Sequence, residues 1–166
     1  MKCTFLASRG RRRTAGRASA VASAWVLFCA AVVDAHAHRA AVCDVKPPDG
    51  WQQAVTRWDG PCRNGAADGL GVLKEIDGPK VRRLAFGRFE QGELRLGVIE
   101  EDGGFRAGRF QRGQVVPSED RQTLIDAFNE GAKAADQVSA RFKSVGNKAS
   151  AGFYRHKAEA LRSQMD

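Results

Sequence analysis

Between residues 58 and 116 apolar and polar positions alternate in short runs, and glycine breaks the runs at recurring offsets. Leu84, Phe86, Leu94, Leu96, Val98 and Ile99 supply the apolar positions, and the block Gly-Arg-Phe-x-x-Gly occurs twice, at 87–92 and at 108–113. Period-two alternation with turn residues at repeated spacing predicts short β-hairpins laid side by side. Pro117 ends the strands and the period changes. Leu124, Phe128, Ala135, Val138, Phe142 and Val145 recur at helical steps, with Gly131 on the same stripe. They predict an amphipathic helix of about 27 residues, N-capped by Ser118 with Glu119 and Asp120 in its first turn. Gly146-Asn147 marks a stop or kink, and 148–164 predicts a second helix carrying Phe153, Tyr154, Ala160 and Leu161, weakest at Gly152. The stripe lasts only about three heptads, which favours packing on its own domain over a coiled coil. The expected fold class is α+β: an antiparallel stack of hairpins followed by one or two C-terminal helices.

The start of the chain changes the picture of its charge. The whole sequence carries 27 Lys and Arg against 19 Asp and Glu, a formal +8. Residues 1–37 contain six of those cations (Lys2, Arg9, Arg11, Arg12, Arg13, Arg17) and one acid, Asp34, so the remainder holds 21 against 18. A surface so near neutrality argues against a nucleic-acid partner. Residues 1–37 themselves have the layout of a cleaved secretory signal: a basic leader, the uncharged run 18–33, and Ala35-His36-Ala37 before His38. Sixteen alanine-rich residues are short for a bilayer span, which needs about 20. Thr14-Ala15-Gly16 after Arg12-Arg13 does not match twin-arginine export, and Phe28 before Cys29 is too large for lipoprotein processing. The expectation is export, to the periplasm or the extracellular space. Cys3 and Cys29 would leave with the signal, and the even pair Cys43 and Cys62 would form one disulfide. Bridging positions 19 apart removes denatured-state entropy worth about 3 kcal/mol.

The first hairpin unit adds a family resemblance. Trp58, Gly60, Asn64-Gly65 and Gly69-Leu70-Gly71 fall at the offsets of the MORN repeat, which this stretch resembles; Gly87, Phe89, Gln91-Gly92 and Gly97, then Gly108, Phe110 and Arg112-Gly113, resemble two degraded copies. Asn-Gly suits a type I′ turn, where both positions need positive φ. Gly87 shares a strand face with Phe89, and Gly108 with Phe110, so a glycine is expected to vacate space that a neighbouring ring fills. Cys62 stands where the later units carry Phe89 and Phe110, which suggests that its bridge pins residues 38–57 over the open end of the stack. Lys46-Pro47-Pro48-Asp49-Gly50 makes that lead-in extended with a turn, and Trp51 and Val55 allow one helical turn. The mixed charges among the strands fit a solvated face with cross-strand pairs.

Chemistry-bearing constellations are scarce. After position 37 the chain has His38 and His156, with no metalloprotease, serine-hydrolase or phosphate-loop motif, so no catalytic residue, metal ligand or cofactor is assigned. Glu100-Glu101-Asp102 reads as a loop, and Tyr154-Arg155-His156 as helix surface. The resemblance implies protein-binding and dimerising scaffolds, and membrane association for some eukaryotic relatives. The expectation is therefore a non-enzymatic binding or scaffold protein of the cell envelope with a protein partner. Trp58, Phe89 and Phe110 form its candidate binding or packing face. Alternatives are homodimerisation through the C-terminal helix, contact of that basic helix with a membrane surface, and a small envelope hydrolase.

Overall fold

The computed structural model describes residues 43–165; the expected signal segment, 1–37, and the first five residues of the lead-in lie outside them. The chain is α+β. Strands β1 (Thr56–Asp59), β2 (Cys62–Arg63), β3 (Ala66–Ala67), β4 (Gly69–Asp77), β5 (Lys80–Glu90), β6 (Glu93–Glu101), β7 (Gly104–Gln111) and β8 (Gln114–Val115) precede helices α1 (Arg121–Ser144) and α2 (Lys148–Arg162). Six strands make one antiparallel sheet in the order β1-β4-β5-β6-β7-β8, and β2-β3 form a separate hairpin. Three two-residue turns, Asn64-Gly65, Gln91-Gly92 and Arg112-Gly113, close β2-β3, β5-β6 and β7-β8. Asn64, Gln91 and Arg112 are the only non-glycine residues with positive φ among those described, as type I′ turns demand.

Four glycines face one another across the sheet: Gly71 opposite Gly87, Gly87 opposite Gly97, and Gly97 opposite Gly108. A Cβ on Gly97 would strike the Phe86 carbonyl oxygen, and one on Gly87 that of Leu96. At Gly87 the glycine serves close main-chain approach rather than the space for a ring that the spacing suggested, and Gly97 opposite does the same.

Period-two alternation divides the apolar residues between two faces. Val72, Leu84, Phe86 and Val98 point to one face and pack against Ala132, Ala135, Val138, Tyr154, Ala158 and Leu161 of the helices. Leu73, Ala85, Phe89, Leu94, Ile99 and Phe110 point to the other, against Val45 and Trp51 of the lead-in. Small residues let α1 lie close: a Cβ on Gly131 would come within 3.3 Å of Val98 Cγ2 and 3.4 Å of Leu161 Cδ1. The helices thus cover one face of the sheet. Leu124 and Val145, expected on the buried stripe, are exposed at the two ends of α1, and Phe153 of α2 is exposed as well. The N-cap is Asp120, whose carboxylate accepts from the N–H groups of Gln122 and Thr123, while Ser118 Oγ accepts only from Asp120 N. The helix is 24 residues long and stops at Gly146 (φ +78°), where Gly146 N donates to Lys143 O and Asn147 N to Phe142 O.

The lead-in is also placed differently from its expected position at the end of the stack. It runs across the row of turns: Asp44 N donates to Gly65 O (2.7 Å), Lys46 N to Gly92 O (2.8 Å) and Asp49 N to Gly113 O (3.0 Å). Beyond Gly50 it lays Trp51 on the second face and makes a single 3-10 turn at Gln53–Val55. Glu75 and Arg83, directly opposite on β4 and β5, hold it there. Arg83 donates to both Glu75 oxygens (2.5 and 2.8 Å) and to Gly50 O (2.9 Å), its guanidinium lies 5.0 Å from the Trp51 ring centre, and Gln52 N donates to Glu75. This pair is buried, unlike the solvated cross-strand pairs that the mixed charges suggested.

The Arg83 hydrogen bonds are the largest cause holding the Glu75 carboxyl below its ordinary pKa, so its contribution to stability is present above about pH 4.5 and falls as acid protonates the folded state. Glu75→Gln strands the Arg83 charge and is expected to cost about 3 kcal/mol of unfolding free energy at neutral pH. Urea unfolding across a pH series checks both halves: the gap between wild type and variant should narrow below about pH 4.5.

Candidate binding cleft

At the β1 end of the second face the core stays open. Cys43, Val45, Cys62, Trp58 and Leu73 line a cleft of about 980 Å³, with Asp44, Gln53, Thr56, Arg57 and Arg141 among its polar residues. Cys43 and Cys62 form the expected disulfide, with Cα atoms 5.8 Å apart. It ties the lead-in to the first hairpin.

Trp58 is held in place from several sides. Its ring lies over Gly60 and Gly71, where a Cβ on Gly71 would sit 2.5 Å from Trp58 Cη2. Here a glycine does vacate space for a ring. The indole Nε1 donates to Pro61 O at 3.1 Å, and the ring centre is 4.5 Å from that of Phe89, tilted by 59°. Phe89 and Phe110 are buried in the core beneath. Of the three aromatics singled out by spacing, two are packing residues and only Trp58, half-buried, reaches the cleft.

One wall rests on a polar node that the sequence did not reveal. Asp59 takes Lys74 Nζ at 2.6 Å, Arg141 Nη2 at 3.0 Å and the Tyr154 hydroxyl at 3.3 Å, and Arg141 Nη1 donates to Gly60 O. Burial, then the charge of Asp59, pushes the Tyr154 hydroxyl far above its ordinary pKa, so it stays a donor. Tyr154 also stacks on Phe142, with ring planes 3° apart. It is therefore core, in contrast to the surface position expected for Tyr154-Arg155-His156. The Asp59 carboxylate accepts from two cations and a hydroxyl, which makes it a positioning group for the wall. Arg57 is exposed, and among the described residues its guanidinium donates only to its own neighbour's carbonyl, Thr56 O. The cleft thus offers an apolar floor with a rigid indole, and a rim rich in guanidinium.

A second cleft, about 440 Å³, lies at the opposite end of the strands beside Val81, Phe153 and Lys157. Glu100 and Glu101, expected in a loop, instead close β6, and each is paired, with Lys157 and Arg106. Among the described residues no group of His, Cys, Asp and Glu is arranged to hold a metal ion, and no helix is long and apolar enough to cross a membrane.

Gly71→Ala is expected to push the Trp58 ring off its seat and lower stability by about 2 kcal/mol, an overpacking cost. Gly103→Ala, with open space around the added methyl, should stay within about 0.5 kcal/mol of wild type. Denaturant unfolding of the two variants separates the outcomes.

No family model matches this chain, and neither do the curated proteins or the solved structures with which it was compared.

Proposed function

We propose that the chain is an exported, non-enzymatic binding or scaffold protein of the cell envelope, built on MORN-like hairpins, with the cleft around Trp58 as its docking site. The observation that carries this reading is the fixed, half-buried indole at the open end of an otherwise closed core. Preformed apolar clefts with few polar groups are the usual form of a binding site, and tryptophan is enriched among the residues that dominate binding energy. The partner is a protein segment that lays an apolar side chain on Trp58 and Leu73 and sets a carboxylate against Arg57, whose guanidinium has, among the described residues, only a main-chain carbonyl to give up. The disulfide supports export, because such bridges persist in oxidising compartments. The row of X-Gly type I′ turns supports the repeat assignment.

Purification from the native envelope tests both parts. Mass spectrometry of the recovered protein should place its N-terminus at His38 with Cys43 and Cys62 oxidised. An intact leader with reduced thiols would overturn export. Capture of the native partner should fall at least about tenfold with Arg57→Glu, and likewise with Gln53→Trp, which fills the cleft. Arg82→Glu at the far end should leave capture unchanged. Equal capture by all three would overturn the cleft as the docking site.

A further inference from the structure

The two outer edges of the sheet are finished in different ways. On β1 the carbonyl of Thr56 accepts from Arg57, and just beyond the strand that of Gly60 accepts from Arg141. Side chains that occupy edge groups in this way keep other strands from pairing there. On the opposite side β8 is only two residues long and pairs with Phe110 and Gln111. Val116 N extends that contact by one bond, to Arg109 O, before the chain leaves for α1. Residues 104–108 of β7 therefore have β6 on one side and no strand on the other among the described residues.

Main-chain groups alternate between the two sides of an antiparallel strand. Arg109 O points outward to Val116, so the N–H and C=O of Ala107 and Phe105 point outward too. Nothing among the described residues bonds these four groups. Two apolar side chains are exposed along the same edge: Phe105 is 37% exposed and Val116, beside Arg109, 41%. Phe105 packs edge-on against Phe128 of α1, which places it on the helix side of the sheet.

We propose that this edge pairs with the same edge of a second copy, β7 against β7 about a two-fold axis at Arg106, giving one continuous antiparallel sheet. The match is self-complementary. In that register Phe105 stands opposite Ala107 of the other copy, and each pair exchanges two N–H···O bonds. All four outward groups on each copy are then satisfied. On the helix side a large ring meets a methyl group, and Gly104 meets Gly108. On the other side the two Arg106 side chains come together, each already bound by its own Glu101 at 2.7 Å, so the like charges arrive with their counter-ions. Each β8 lies outside the paired segment, because the uncovered stretch is the stretch that pairs.

Sedimentation of the purified chain across the micromolar range tests this. A monomer–dimer equilibrium is expected, and a monomer throughout would overturn the proposal. Ala107→Pro removes an outward N–H that the chain's own sheet does not use, a position where an edge strand tolerates proline. It should weaken the dimer at least about tenfold while thermal unfolding of the monomer is kept. Phe105→Lys, which places a charge on the edge, should do the same and serves if the proline variant does not fold. A dimer that survives both substitutions with unchanged affinity would place the contact elsewhere, as helix-mediated pairing would, and would overturn the proposal.

Discussion

Main chain touches main chain where Gly87 faces Gly97, at the centre of a line of facing glycines from Gly71 to Gly108 that crosses four strands. A methyl group on Gly87 or Gly97 would strike a carbonyl oxygen of the adjacent strand, so the strands meet closely only where glycine faces glycine. A slip of one residue would also turn every strand side chain to the opposite face. Register is thus fixed twice, by the glycine line and by the division of Val72, Phe86 and Val98 from Leu73, Ala85 and Ile99. The same register aligns the turns at one end. Their glycine carbonyls then form the ladder to which Asp44, Lys46 and Asp49 donate, so the cover on the second face depends on the sheet beneath it.

Much of this was legible because it is written in residue types with narrow backbone preferences. Asn64-Gly65 announces a type I′ turn, the glycines of Gln91-Gly92 and Arg112-Gly113 fall at the matching offsets, Gly146 announces the end of α1, and the even cysteine pair announces the bridge. The path of the lead-in was not legible, because it is held by main-chain hydrogen bonds that any residue other than proline could donate. The Glu75–Arg83 pair was hidden for a different reason: in a strand region with many charges of both signs, nothing local says which pair will be covered. Burial of that pair follows from Trp51 arriving from 24 residues upstream. Helical periodicity likewise marked the stripe of α1 but not where the sheet beneath it ends, which is why Leu124 and Val145 emerge from it.

The cleft coincides with one departure from the spacing that the hairpins share. Two residues before each type I′ turn the second and third hairpins carry Phe89 and Phe110, and both rings are buried on the face that the lead-in covers. At the same offset the first hairpin carries Cys62. Its sulfur joins Cys43 but does not fill the volume of a ring, and both cysteines line the opening that remains above Leu73 and beside Trp58. The indole occupies part of that space from the β1 side and cannot occupy more, because Gly60, Gly71 and the bond to Pro61 O fix where it lies. The bridge that secures the cover and the gap that leaves the indole accessible are therefore two consequences of the same residue. The cysteine thus supplies the tether at the place where the core stays open.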